Sequence, residues 1–245
     1  GVQANSEAVK EKTDDKDTSD TTKKTETAEE RIARVRQEAV TAGYPEKVIE
    51  LLDKNPETVQ FVEDYGKKKN QAPAATVEAE DGYSGMFPEI LQWDERWGYS
   101  PYGTSIIAVS GCGPTCVSML VVGLTGDKTV TPSVVADYAT QNHYVDENND
   151  TTWAFMTSGV EHWGLTCRES NGNESEIAKE LEAGHPVICS MRPGDFTDIG
   201  HFIILTSYNN GNVTICDPFS LENSKKSWNY SQISSQIKAV WVYSK

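Results

Sequence analysis

Clustered positive charge is what this chain most lacks. Asp and Glu number 37 against 22 Lys and Arg, a formal net charge of −15. Binding nucleic acid or an anionic membrane surface needs Lys and Arg gathered against phosphate, so neither partner is expected. Long apolar runs are missing too. The longest lies within Cys116–Leu124, far short of the roughly 20 residues a spanning helix needs, so no membrane-spanning segment is expected. Cysteine is sparse, with five residues (Cys112, Cys116, Cys167, Cys189, Cys216) and no CxxC pair. That density is too low for a disulfide scaffold, and the odd count leaves at least one thiol free in a monomer. The C-x3-C spacing of Cys112 and Cys116 has no second Cys/His pair beside it, so no metal is expected. No cofactor signature appears either. "DENNDTT" (Asp146–Thr152) lacks the Gly and Glu of a calcium loop, and "GLTGDKT" interposes Asp127 before Lys128 and fails as a phosphate loop.

What is present falls into four stretches. Residues 1–26 are Thr, Asp, Lys, Ser and Glu with almost nothing large and apolar, so a disordered or tethering segment is expected. Residues 27–69 predict a helical region. Thr27 and Glu30 form a capping box ahead of Ile32, Val35 and Val40, and Gly43 ends that helix. Pro45 opens a second helix through Leu52. Asn55-Pro56 caps a third, "ETVQFVEDY", closed by Gly66 and Lys67–Lys69. Residues 70–84 read as a linker, and 85–245 as one compact domain. Within it "GPTCVSMLVVGL" is apolar on every side and predicts a buried helix. "TPSVVADYATQN", "TTWAFMTSGVEHWG" and "NESEIAKELEAG" predict three more. "PVICSM", "HFIILTSY", "VTICDP" and "AVWVYS" predict strands, the middle two joined as a hairpin by Asn-Asn-Gly-Asn. Helices first and antiparallel strands second make the domain α+β.

Pro114 suits a first helical turn, which sets Cys112 at or just before the N-cap of the buried helix. Unpaired amides and the positive end of the macrodipole there favour thiolate over thiol. Gly111 and Gly113 are expected to leave room for a substrate backbone. Cys116, one turn deeper among Val117, Met119 and Leu120, reads as a small core hydrophobe, as do Cys189 and Cys216 in their strands. Cys167 lies near an expected sheet edge. A nucleophilic cysteine needs a base and a group that orients it. Of four histidines, His143 lies in a polar loop, His162 at a helix end and His185 in a turn, whereas His201 opens the most apolar strand after "RPGDFTDIG". Asp217 ends the partner strand at the same end of the hairpin. A three- or five-residue loop would set the two opposite each other, and a two-residue turn would slip them by three.

"LQWDERWGYSPYG", "SGCGPTCVSML", "GHPVICSMRPGDFTDIGHFIIL" and "ICDPFS" together resemble the stand-alone, peptidase C39-like relatives of the bacteriocin-processing, double-glycine cysteine peptidases of the papain-like clan. The resemblance spans roughly Phe87 to Lys245, and "YPEKVIELLDKNPETVQFVEDY" is similar to the lead-in of secreted Gram-positive members. It implies a papain-like fold with an N-terminal helical extension. It also implies Cys112 as nucleophile, His201 as general base, Asp217 as its orienting partner, and Gln92 as a donor to the developing oxyanion. A peptide or protein substrate and an extracellular or cell-surface location follow, with a signal peptide or lipid anchor removed. The membrane and ATP-binding domains of transporter-attached members do not appear. The rival expectations are an inactive surface binding module and an acyl-transferring thiol enzyme. An NlpC-type amidase is disfavoured, because those carry Asp-Cys-Ser-Gly. Trp93, Trp97, Tyr99 and Tyr102 are candidates for lining the cleft, with packing beneath the loop as the alternative. The N-terminal helices are open to three roles: propeptide, cleft cover or spacer.

Overall fold

The computed structural model describes residues 26–245. All but the last residue of the expected tether, 1–26, lies outside the described residues. Helix α1 (Ala28–Thr41) opens with the capping box: Glu30 donates its amide to Thr27 Oγ1 at 3.1 Å, and Thr27 donates its own to the Glu30 carboxylate at 3.2 Å. Gly43, at φ 72°, turns the chain after it. The second expected helix is split into α2 (Glu46–Ile49) and α3 (Leu51–Lys54). Asn55 then caps the 3-10 turn Pro56–Thr58 that leads into α4 (Val59–Lys68). Gly66 does not end that helix, as the sequence suggested. It lies inside α4, where its missing side chain admits Tyr44: a Cβ there would stand 2.6 Å from the Tyr44 hydroxyl. Packing, not helix termination, accounts for this glycine.

The stretch expected to be a linker, 70–84, runs along the larger domain. Ala74 donates its amide to Arg96, Val77 donates to Lys128, and the Val77 side chain is buried in the main core. Next come α5 (Ile107–Ser110), α6 (Cys112–Thr125), α7 (Pro132–Gln141) and α8 (Trp153–Thr157). Thr131 caps α7 through its hydroxyl, with Pro132 in the first turn. Residues Cys116 to Val122 of α6 are all buried, which is why no polar face could be read in that segment. The stretch after α8 continues as a 3-10 turn, Gly159–Trp163, ended by left-handed Gly164.

The strands of the main sheet are β1 (Thr166–Ser170), β2 (Val187–Met191), β3 (His201–Asn209), β4 (Asn212–Cys216), β5 (Ser227–Asn229) and β6 (Ile237–Ser244), with α9 (Glu174–Glu182) between β1 and β2. α10 (Leu221–Ser224) and α11 (Tyr230–Ser234) flank β5. They form one antiparallel sheet in the order β1-β6-β2-β3-β4-β5. Both faces are covered. Ile188, Phe202, Ile204, Cys216 and Trp241 pack toward α6, while Val187, Cys189, Ile203, Leu205 and Ile215 pack toward α9 and α11. Burial on two sides makes the central strands continuous apolar runs rather than alternating ones.

The β3–β4 turn is the two-residue Asn210-Gly211, with φ of 49° and 85°, as a type I′ hairpin requires. A bulge at Thr206 then shifts the register, pairing Leu205 with Ile215 and Ile204 with Cys216. Carried one residue further, this register sets Asp217 opposite Ile203, two residues along β3 from His201; without the bulge it would stand opposite Ile204, three residues away. The slip is therefore two, not the three expected of a two-residue turn.

Phe87, where the chain enters the domain, packs against Gly123 of α6. A Cβ on Gly123 would stand 2.2 Å from the Phe87 ring. Gly123→Ala is expected to destabilise the protein by about 1–3 kcal/mol. Thermal melting should fall by roughly 2–4 °C per kcal/mol; an unchanged Tm would contradict this packing.

Candidate active site

Cys112 is the first residue of α6, with Gly111 between it and α5 as the cap. The two glycines that flank it serve packing rather than substrate access. A Cβ on Gly111 would lie 2.5 Å from the Ile107 carbonyl oxygen, because α5 turns directly into α6. One on Gly113 would lie 2.2 Å from Thr151 Oγ1. Thr151 is in turn bonded to the buried Tyr102 hydroxyl. These contacts fix where α6 begins, and so where the Cys112 thiol stands.

All five thiols are free. Burial pushes Cys116 well above the ordinary thiol range, and its Sγ donates to the Phe202 carbonyl at 3.5 Å. Burial likewise raises Cys189 and Cys216 in the sheet. Cys167, on edge strand β1, is raised to about 11, again by burial first. Cys112 is partly exposed and stands at the rim of the sheet beside His201.

His201 is the first residue of β3. Its Nε2 lies 2.6 Å from Asp217 Oδ1, and the two side chains are only 8% and 1% exposed. Nδ1 is the ring nitrogen that Asp217 does not occupy. Burial alone would pull the His201 pKa down. The Asp217 charge and hydrogen bond, with a smaller contribution from Cys112, outweigh it and raise His201 from 6.5 to about 10. Asp217 is itself held from several directions. Its Oδ1 accepts the Phe219 amide at 2.8 Å, its Oδ2 accepts Asn223 Nδ2 at 3.1 Å, and its own amide donates to Ser224 Oγ at 2.8 Å. Asn223 and Ser224 were not singled out in the sequence. Ser220, which caps α10 by accepting the Asn223 amide, was the local signal that could have found them.

Gln92 is buried. Its backbone amide donates to Pro218, the residue after Asp217, at 2.7 Å. Its Nε2 donates to the Ala108 carbonyl of α5 at 3.0 Å, while Oε1 has no protein partner. The side chain thus lies between the loop after β4 and the helix that leads into Cys112. Of the aromatic residues weighed for the cleft, Trp97, Tyr99 and Tyr102 are core, and Trp93 donates Nε1 to the Phe219 carbonyl at 2.7 Å. Two of the other histidines have separate partners: His185 pairs with Glu180 at 2.7 Å, and His162 stacks on Tyr138 at 4.0 Å. Among the described residues no cluster of three or more His, Cys, Asp or Glu could hold a metal, and no helix is long and apolar enough to cross a membrane.

The arrangement can pass a proton from a thiol to an imidazole whose charged form is stabilised by a buried carboxylate. Because folding raises the His201 pKa, the stability contributed by the pair is complete below about pH 6.5 and lost as pH rises through about 10. The Tm advantage of wild type over Asp217→Asn should therefore be largest near pH 6 and narrow as pH rises through that window. A gap that stays constant or widens would contradict the pairing.

A family model described as the Peptidase_C39 like family matches residues 87–245. Among curated proteins there is no match. Several solved structures are similar, two of them as follows. The peptidase domain of Streptococcus ComA, described as a bi-functional ABC transporter involved in a quorum sensing pathway, matches at 12% identity and a TM-score of 0.42, over 55% of this chain and 92% of its own. A chain described as a C39-like peptidase from Bacillus anthracis matches at 17% identity and a TM-score of 0.35, over 69% of this chain and 97% of its own. The family match contains Gln92, Cys112, His201 and Asp217 together with the α+β domain that carries them. This chain belongs to the Peptidase_C39 like family, which points to a cysteine peptidase.

Proposed function

We propose that this protein is a thiol peptidase in which Cys112 is the nucleophile, His201 the general base and acid, and Asp217 the residue that orients His201. The observation that carries the reading is the buried 2.6 Å contact between His201 Nε2 and Asp217 Oδ1, with Cys112, at a helix start, among the groups that act on the same ring. His201 takes the Cys112 proton, and the sulfur attacks the carbonyl carbon of a peptide bond. The tetrahedral oxyanion meets Gln92 Nε2, which keeps a second hydrogen after bonding Ala108, and the first-turn amide of Cys112. As the C–N bond breaks, His201 returns the proton to the leaving amine, and a thioester remains on Cys112. Water that gives its proton to His201 then attacks the thioester, and release of the carboxylic product restores the thiol.

The three other buried or raised thiol environments in the sheet, and that of Cys116, favour Cys112 as the reacting sulfur. An extracellular or cell-surface location belongs to the same proposal and rests on the resemblance of the helical lead-in to secreted members. Cleavage of a diverse peptide library by the full-length protein tests the chemistry. Cys112→Ala is expected to abolish turnover. Gln92→Ala should lower kcat by about 10²–10³ while changing KM little, because the oxyanion exists only after attack. Turnover that survives Cys112→Ala would overturn the mechanism. Peptide binding without turnover, unaffected by Cys112→Ala, would favour a binding module.

A further inference from the structure

The N-terminal helices do not stand apart from the site. Phe61 of α4 stacks on Tyr99 at 4.1 Å and accepts the Tyr99 hydroxyl through its carbonyl at 2.8 Å. Val35, Leu51, Leu52 and Val62 share one apolar cluster with Ala108 of α5, and Phe219 packs against it. Cys112 keeps part of its surface with these helices docked, so they do not close over it.

The polar contacts are more specific. Between α3 and α4, Asn55 donates Nδ2 to the Phe219 carbonyl at 2.8 Å. The Glu57 carboxylate accepts the amide of Leu221 at 3.1 Å and that of Glu222 at 3.2 Å, the first two residues of α10. Asn55 Nδ2 also reaches Glu57 Oε1 at 2.8 Å, tying the two side chains into one grip. From the other side, Phe219 donates its amide to Asp217, and α10 supplies Asn223 and Ser224 to the same residue. Each group held by the arm is thus one residue or one short helix from the carboxylate that pairs with His201.

We infer that the helical region is a positioning arm of the active site, in which Asn55 and Glu57 clamp the Pro218–Glu222 loop and so set Asp217 against His201. The inference rests on the peptidase reading for its effect on turnover, but its physical content is separable. Removing Glu57 leaves the first amides of α10 without a protein acceptor and frees the helix that carries Asn223 and Ser224. Removing the Asn55 donor frees the Phe219 carbonyl from the arm and leaves it to Trp93 alone. Either change loosens Asp217 without touching it.

The titratable groups facing His201 are Asp217 and Cys112, so the midpoint of its ring resonance reports how well Asp217 is held. NMR titration of the four histidines in the full chain, assigned with His201→Gln, reads this directly. Glu57→Ala and the isosteric Asn55→Asp are each expected to lower the His201 midpoint by about half a unit or more. Turnover should fall severalfold in kcat with KM changed less than about twofold. Asn55→Asp keeps volume and the cap on Glu57, so it serves if Glu57→Ala unfolds. A raised wild-type midpoint that neither variant moves would overturn the positioning role alone. A wild-type midpoint at the ordinary value would overturn the pairing on which both readings rest. A midpoint lowered in the variants of a protein without turnover would support the arm and sink the peptidase.

Discussion

An imidazole and a carboxylate meeting almost out of reach of water is the contact on which the rest of the molecule depends. Such a pair repays its desolvation only if geometry is good and the remaining lone pairs are satisfied. Asp217 accepts from His201, Phe219 and Asn223, and its backbone is held by Ser224. The bulge at Thr206 shortens the offset between His201 and Asp217 along the hairpin from three residues to two. The glycine turn at Gly111 and the close approach of Gly113 to Thr151 set the helix that delivers the thiol. Three separately folded elements therefore converge on one ring.

Local chemistry was legible in the sequence wherever it was self-contained. Thr27 with Glu30, Thr131 with Pro132, and Asn210-Gly211 each specify an end or a turn within a few residues, and the structure has them there. The continuous apolar runs of β2 and β3 were recognisable as strands, because burial on both faces removes polar positions. Cys116, Cys189 and Cys216 read correctly as core for the same reason.

What escaped the sequence depends on partners distant in the chain. Gly66 looked like a helix stop, but Tyr44 occupies the space a side chain would take. Gly111 and Gly113 looked like openings for substrate, yet Ile107 and Thr151 fill those places. No local signal marks the Thr206 bulge, since the residue is extra only relative to β4. The burial of Gln92 follows from Ala108 and Pro218, one on the helix before Cys112 and the other after β4. The grip of Asn55 and Glu57 on the loop after β4 spans more than 160 residues, and helix-capping rules account for only half of Asn55's role.

The central claim is that one thiol of five is made reactive by one histidine of four. Timed alkylation of the intact protein with iodoacetamide, followed by peptide mapping of all five cysteines, tests it most directly. Cys112 should be labelled well ahead of Cys116, Cys167, Cys189 and Cys216, and His201→Ala should remove that lead. Labelling of Cys112 no faster than the others, and unchanged in His201→Ala, would contradict the account.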